Sequence, residues 1–375
     1  MLDLNTEFPI DSAISYLNHA AVAPWPQRTA RAVTGFAQEN TDQGAMEYPR
    51  WMQKEQLLRD QLVSLLNAEH TDAIALVKNT SEALSFVAHG LSWRPGDNVV
   101  ISNLEFPSNR IVWESLARYG VEVIEADISE GSPEQRILEA TNEHTRLISI
   151  SSVQYASGLK LNLKPIGEFC RRKEILFCVD AIQSVGAHQF DVQDNYVDFA
   201  MADGHKWMLG PEGLGFFYLN PTIMDRLKLH QFGWHMVERQ GDYDRREWDI
   251  ASSARRFECG SPNMLAIHAL SASLSLLLEV GMESVELALE QIVGYAIERI
   301  RELPKARILS TTDPIQRAGI VTFSIDDTNM SKLHQSLMAN RVICAHRGGG
   351  IRFSPHFYTS TETIDRAIDV LREKL

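Results

Sequence analysis

Val197-Asp198-Phe199-Ala200-Met201-Ala202-Asp203-Gly204-His205-Lys206 is the stretch on which the fold of this chain turns. Its first six residues read as a strand, apolar at nearly every consecutive position, as in strands covered on both faces. Four chemically useful residues follow at once. Gly210-Pro211-Glu212-Gly213 then leads into a second apolar run at 214–219, too close for a helical crossover, so this last strand can pair antiparallel. Upstream, similar runs at 73–77, 98–102, 121–125, 147–152 and 175–180 alternate with helical patterns at 81–91, 108–119 and 166–173. Alternation on this scale predicts an α/β architecture with a mostly parallel sheet of seven strands covered on both sides.

Beyond Pro221 the pattern changes. A charged and aromatic stretch, 230–256, reads as irregular, with Trp234, His235 and the arginines of 245–256 placed to shape substrate choice. A long apolar helix at 264–280 and another reaching 303 follow. Residues 319–324, 331–340, 342–345, 351–353 and 361–375 then read strand, helix, strand, strand, helix. This predicts a larger α/β domain over residues 21–262 and a smaller α+β domain from residues 1–20 and 263–375, with no flexible linker between them.

A chain of 375 residues suits two packed domains, and 44% hydrophobic with 23% charged residues suits a globular one. The net charge of −13 disfavours a nucleic-acid partner, which needs a basic surface to displace counterions. No apolar run approaches a membrane span, and residues 1–10 lack the basic-then-apolar pattern of a secretory signal. Cys170, Cys178, Cys259 and Cys344 show neither metal-ligand pairing nor disulfide-framework spacing. The expectation is a reduced, cytoplasmic enzyme without membrane, nucleic-acid or metal partners.

Ligands of open parallel sheets bind at the carboxyl ends of the strands. After the run at 73–77, Lys78-Asn79-Thr80-Ser81-Glu82 opens a helix whose free N–H groups and hydroxyls suit a phosphate, or simply make an ordinary cap. Asp180 ends another strand, where it either caps a helix or serves a ligand. Lys206 follows a third. A lysine buried there loses its charge readily, as Schiff-base formation requires, unless it reaches the surface. Phosphate cradle, carboxylate and lysine together match the needs of pyridoxal phosphate: a phosphate anchor, a partner for the pyridine nitrogen and an amine for the aldehyde.

Val179-Asp180-Ala181-Ile182-Gln183-Ser184-Val185-Gly186 followed by Asp203-Gly204-His205-Lys206 resembles the class V aminotransferase family. This fold-type I pyridoxal-phosphate group includes cysteine desulfurases, selenocysteine lyases, isopenicillin-N epimerases and kynureninases. Tyr16-Leu17-Asn18-His19-Ala20-Ala21 is similar to its N-terminal segment, Phe257-Glu258-Cys259-Gly260-Ser261-Pro262-Asn263 to its cross-subunit phosphate motif, and Arg352-Phe353-Ser354-Pro355-His356-Phe357-Tyr358 to its C-terminal arginine motif. The resemblance implies that Lys206 carries the cofactor, Asp180 pairs with the pyridine nitrogen and Gln183 meets the phenolic oxygen. It implies that Thr80, Ser81 and His205 line the phosphate side and that Ser261 reaches the neighbouring subunit's phosphate in a homodimer with shared sites. Arg352, with Asn18, would bind the substrate's α-carboxylate; apart from the motif, Arg352 reads as a surface residue on an edge strand.

The chain departs from the desulfurases at four places. Phe106, in Glu105-Phe106-Pro107-Ser108-Asn109, stands where they stack a histidine on the cofactor; it either stacks or packs in the core. Val153-Gln154-Tyr155 replaces a segment that usually carries asparagine, and Tyr155 could bond cofactor or substrate, or be a buried tyrosine with a local partner. Asp203 replaces a phosphate-binding serine and is left outside the binding set, because a carboxylate repels a phosphate. Cys344 is near the place of the catalytic loop cysteine but reads as a core residue of a strand. These features favour a carbon–sulfur lyase acting on a sulfur-containing amino acid without a protein persulfide. An epimerase using Tyr155 or His235 as a second proton donor is the alternative, with aminotransfer and a silent cofactor-binding scaffold behind it; His19, His235 and His346 could equally be solvent or core residues.

Overall fold

Seven strands form the central sheet in the computed structural model of the protein, which describes residues 3–375. Met1 and Leu2, the start of the expected smaller domain and of residues 1–10, lie outside the described residues. The chain begins with α1 (Leu4–Glu7), β1 (Ser15–Tyr16), α2 (Gln27–Gln43) and α3 (Tyr48–Leu66). The sheet follows: β2 (Ile74–Val77), α4 (Thr80–Gly90), β3 (Asn98–Ser102), α5 (Ser108–Glu114), β4 (Glu122–Ala126), α6 (Pro133–Glu139), β5 (Thr145–Ser151), α7 (Leu163–Lys173), β6 (Leu176–Asp180), β7 (Phe199–Asp203) and β8 (Gly215–Leu219). Their order across the sheet is β2-β8-β7-β6-β5-β3-β4. β4, β3, β5, β6 and β7 run parallel, and β8 is antiparallel to both β7 and β2.

Neighbouring residues of one strand enter different cores. Val100, Ile148, Val179 and Ala200 join one apolar cluster, whereas Val99, Leu147, Cys178 and Phe199 join another on the opposite face. Both faces are therefore covered, which explains the unbroken apolar runs. Each fully buried side chain of the Val or Phe class contributes roughly 1.5–3 kcal/mol. The edge strand β4 differs, exposing Glu122 and Glu125, charges that discourage pairing with another chain.

Two helices escaped the sequence pattern. α2 buries only Thr29 fully, so its apolar face is faint. α3 buries Trp51, Leu58, Leu62, Leu65 and Leu66, but also Glu55 and Arg59, which blurs its stripe. Both pack against α8 (Met264–Val280). The expected boundary at 262/263 assigns α8 to the smaller domain; its buried residues instead join the core of the larger sheet, because its apolar surface meets α2 and α3. No single described helix is long and apolar enough to cross a membrane; α8 and α9 (Met282–Arg301) pass that test only together, bent by 83°.

The remaining elements are β9 (Ala306–Ile308), β10 (Val321–Ile325), α10 (Met330–Ala339), β11 (Val342–Ile343), β12 (Ala345–Arg347), β13 (Gly350–Phe353) and α11 (Thr361–Lys374). They build an antiparallel four-stranded sheet, β12-β13-β10-β9. The single strand expected at 342–345 is split at Cys344. Its first half pairs in parallel with β1, Ser15 opposite Val342, while its second half turns to β13. β9 has two half-buried residues on either side of exposed Arg307 and carries too little pattern to be read.

Candidate functional site

The carboxyl ends of β6 and β7, the start of α4 and the end of β13 surround a cavity of about 260 Å³. Thr80, Ser81, Phe106, Tyr155, Asp180, Gln183, His205, Lys206 and Arg352 all line it. Four larger cavities, of about 430 Å³ within 232–249, 620 Å³ beside Glu105 and Gln154, 470 Å³ beside Lys160 and His188 and 500 Å³ between Glu39 and His268, lack any such set of lysine, carboxylate and buried arginine. Chemistry rather than volume identifies the site.

Lys206 sits on a firmly held turn. The Ala23 N–H donates to the His205 carbonyl (2.8 Å), the Leu209 N–H to the Lys206 carbonyl (3.0 Å) and the Gly210 N–H to the Gly204 carbonyl (2.8 Å). Next to it, buried Trp207 donates its indole N–H to Gln183 Oε1 (2.7 Å). Gly186, at φ +94°, lets the loop after β6 approach closely: a Cβ there would lie 2.4 Å from the Trp207 carbonyl oxygen. The Lys206 ammonium itself makes no hydrogen bond or ion pair among the described residues. Although part of its surface opens to the pocket, burial lowers its pKa to about 8, with Asp180 opposing that shift and Arg352 adding to it. An amine in that range is available as a nucleophile and base near neutral pH.

Asp180 ends β6 almost fully buried and accepts the Ile182 N–H (3.1 Å). Burial raises its pKa to about 7, against the pull of that hydrogen bond and of Lys206. Arg352 on β13 is 2% exposed, so its reading as a surface residue is excluded. Its Nη1 donates to the Tyr155 carbonyl (2.7 Å) and its Nη2 to Asn18 Oδ1 (3.5 Å), while Nε is buried without a partner. Burial lowers its pKa to about 10, with Arg347 adding to that. Asn18 thus stands behind the guanidinium and does not line the cavity, a supporting place rather than the direct substrate contact expected of it.

Phe106 is 42% exposed, so it is not core packing. Its ring meets that of Tyr155 edge-on at 5.1 Å, and Lys206 Nζ lies 5.7 Å from its centroid. The loop is pinned by Glu105, which accepts from Ser102 Oγ (2.7 Å), Asn109 Nδ2 (2.9 Å), and both the N–H (2.9 Å) and Oγ (2.5 Å) of Ser151. Gln183 Nε2 donates to the Ala20 carbonyl (3.0 Å), which leaves one N–H for a ligand.

The start of α4 is less open than expected. Thr80 donates both its N–H and its hydroxyl to Asp203 Oδ1. Ser81 Oγ donates to Ser108 Oγ (2.9 Å), which also lines the cavity. His205 Nδ1 is buried without a hydrogen bond, although Asp203 Oδ2 lies 3.4 Å away. Burial, then Lys206, lowers the His205 pKa to about 4, so at neutral pH this contact is not an ion pair. Ser108, Glu212 and Arg347 also line the cavity and were not expected. Each is one polar residue in a polar loop; only Arg347, five residues before Arg352 across Gly348-Gly349-Gly350, carried a hint in sequence.

Several expected residues lie elsewhere. Ser261, expected at a neighbouring subunit's phosphate and not in its own cavity, is exposed and away from this one. His235 is buried beside Glu258 (3.7 Å) and Glu55, not at the cofactor pocket, so it cannot serve there as a second proton donor. His19 is fixed by the Ser354 carbonyl at Nδ1 (2.8 Å) and the Tyr358 hydroxyl at Nε2 (2.6 Å). None of the four cysteines lines the cavity, and burial pushes the Cys344 thiol up to about 12.

These residues fit pyridoxal phosphate. The unpaired His205 Nδ1, the remaining Gln183 N–H and the low-pKa Lys206 amine are open to such a group; Asp203 is the discordant member. The family model described as Aminotransferase class-V matches residues 15–366. A probable cysteine desulfurase of Methanothermobacter thermautotrophicus is 30% identical, covering 99% of this chain and 97% of its own length. A solved variant of C-DES with glycine covalently linked to its pyridoxal-phosphate cofactor superimposes with a TM-score of 0.91 at 23% identity, covering 100% of both chains. C-DES, described as a cystine C–S lyase, in complex with its product cysteine persulfide gives 0.91 at 23% identity, over 98% and 99% of the two chains.

Proposed function

From the premise that this chain belongs to the class-V aminotransferase family and is a pyridoxal-phosphate enzyme, we propose that it is a carbon–sulfur lyase acting on a sulfur-containing amino acid without a cysteine nucleophile of its own. The observation that carries this reading is a pocket holding Lys206, Asp180 and Arg352 but no thiol, in a chain 30% identical to a probable cysteine desulfurase. Pyridoxal phosphate, when bound, supplies an aldehyde that captures the substrate amine and a ring that draws electrons from the α-carbon. Arg352, backed by Asn18 and the Tyr155 carbonyl, binds the substrate carboxylate and sets the α-carbon's position. Lys206 Nζ takes the α-proton and returns it later in the turnover. Asp180 balances positive charge deep in the site, and Phe106 screens one wall from water.

A panel of cysteine, cystine and S-substituted cysteines tests this. Release of pyruvate and ammonia together with sulfide from cysteine, or with cysteine persulfide from cystine, undiminished in Cys344→Ala, supports it; no such product from any member of the panel overturns it. Epimerisation is the second reading, favoured by Tyr155, whose ring lines the pocket and could carry a second proton. Deuterium entering the α-carbon without elimination would select it.

Assembly and setting belong to the same proposal. Exposed Ser261 lies in the same irregular region as exposed Phe232, Trp234, Tyr243 and Trp248, which suits a homodimer completing its sites across an interface. Four unpaired cysteines suit a reduced, cytoplasmic setting. Residues 21–262, extended by α8, would form the cofactor-holding domain, with residues 1–20 and the chain from α9 onward as its smaller companion.

A further inference from the structure

The N-terminus of α4 already holds an anion. Asp203, the last residue of β7, accepts both the N–H and the hydroxyl of Thr80, which are donors that a phosphate at this helix start would use. Around Asp203 stand Thr80 from α4, neutral His205 and Lys206 from its own turn, Asp180 from β6 and Glu212 from the loop before β8. Asp203, with Glu212 beside it, thus stands where a phosphate dianion is expected, while Asp180 adds negative charge from deeper in the site. The one cation among them, Lys206, loses its ammonium character when its amine is engaged. Burial, with Glu212 adding to it, already raises the Asp203 carboxyl from its ordinary value, opposed by its hydrogen bonds to Thr80 and by Lys206.

We propose that Asp203 makes capture of the cofactor phosphate a proton-coupled event: its carboxylate caps α4 until the phosphate arrives, and a proton taken up at Asp203 then lets the two acids share that end of the pocket. This rests on the assignment of the Thr80–Ser81 side as the phosphate end. The proton has a defined place. A neutral Asp203 carboxyl keeps one oxygen accepting from Thr80 and donates through the other, turning a repulsion into a charge-assisted hydrogen bond. The sign follows by linkage: the bound state holds one proton more than the free state between the carboxyl's own pKa and its higher pKa beside phosphate. Affinity therefore falls as pH rises through that window.

The test resolves the holoenzyme and titrates it with pyridoxal phosphate and, separately, with pyridoxal, following visible absorbance from pH 6 to 9. Wild type is compared with Asp203→Asn, which keeps an oxygen for the Thr80 N–H and so preserves the helix cap, and with Asp203→Ser. Lys206 feels the charge of Asp203, so its titration shifts between the proteins; the pyridoxal titration, which uses the same amine but lacks the phosphate, reports that shift and is subtracted. The expected result is a log Kd for pyridoxal phosphate that rises up to about one unit per pH unit more steeply in wild type than in Asp203→Asn. At pH 8 the variant binds about tenfold tighter or better, because removing a like charge at close range relieves repulsion of that order. Pyridoxal differs between the two only by the Lys206 shift. Parallel pH profiles, with pyridoxal phosphate strongly preferred over pyridoxal, would overturn the role of Asp203 alone. Equal affinity for the two compounds in wild type, with no competition by inorganic phosphate, would overturn the phosphate-end assignment and the proposal with it.

Discussion

Two groups of buried charge in this molecule follow opposite plans. Beside α3, Arg59 donates to both oxygens of Glu258 (2.8 Å each), to Glu55 Oε1 (2.6 Å) and to the Ile74 carbonyl (2.8 Å). Burial works against its charge, but Glu258 and Glu55 outweigh that and its pKa is raised. At the cofactor pocket the cations are left wanting. Lys206 has no hydrogen-bonding partner among the described residues, Arg352 Nε has none, and burial lowers both pKa values. Buried charge that is paired holds a fold together; buried charge that is not paired waits for something else. His235, buried at the border of the first group with neither nitrogen bonded, is that group's loose end, together with Glu55 Oε2.

Substitutions should separate the two plans. Lys206→Ala is expected to abolish the visible band of covalently held cofactor and lower kcat by ~10²–10⁴-fold, with the melting temperature of the cofactor-free protein unchanged or raised. Arg59→Met should do the reverse. It strands Glu55 and Glu258 without their cation, so stability measured by denaturant unfolding falls by about 3–5 kcal/mol while turnover per folded molecule persists. Arg352→Lys, which loses the planar fork, should raise KM for an α-amino acid roughly 10–100-fold, yet leave binding of the matching amine without a carboxylate unchanged.

The smallest effect carries the sharpest sign. The Asp180 pKa is raised from 3.8 to about 7, so its stabilising contribution is complete below the unfolded value and is lost as pH rises through the folded one. In the cofactor-free protein Asp180→Asn should therefore be more stable than wild type at pH 8, by on the order of 1 kcal/mol, and the gain should shrink toward pH 4. A loss at pH 8 would place Asp180 with Arg59, among the charges that hold the fold.

Sheet and lysine were legible because they share one cause. Strands covered on both faces leave uninterrupted apolar runs, and the polar residues ending those runs stand out, as Asp180 and Lys206 do. α2 was not legible, since only Thr29 of its residues is fully buried. The depth of Arg352 could not be read from β13 itself; it comes from Tyr155 and Asn18, far away in sequence. Glu105 shows the same limit. Its partners Ser102, Asn109 and Ser151 come from three segments, and only the folded chain assembles them around the loop that presents Phe106. Asp203 was noticed as discordant, but its grip on Thr80 is a tertiary fact.

The pairing of β1 with β11, and of Asn18 with Ser354, sets a timetable for the pocket. Chains emerge from the ribosome amino end first, so the seven-stranded sheet with Lys206 and Asp180, complete by Leu219, can form before residues 342–354 are made. Residues 15–19 must wait, because their partners lie more than 300 positions later. The wall formed by Arg352, proposed to bind the carboxylate, with Asn18 behind it, is thus assembled only after residues 342–354 have been made. A product ending before residue 342 would still display Lys206 but would lack Arg352. Joining segments so far apart in sequence ties the proposed carboxylate grip of Arg352 to a late step of folding, whereas Lys206 is placed early.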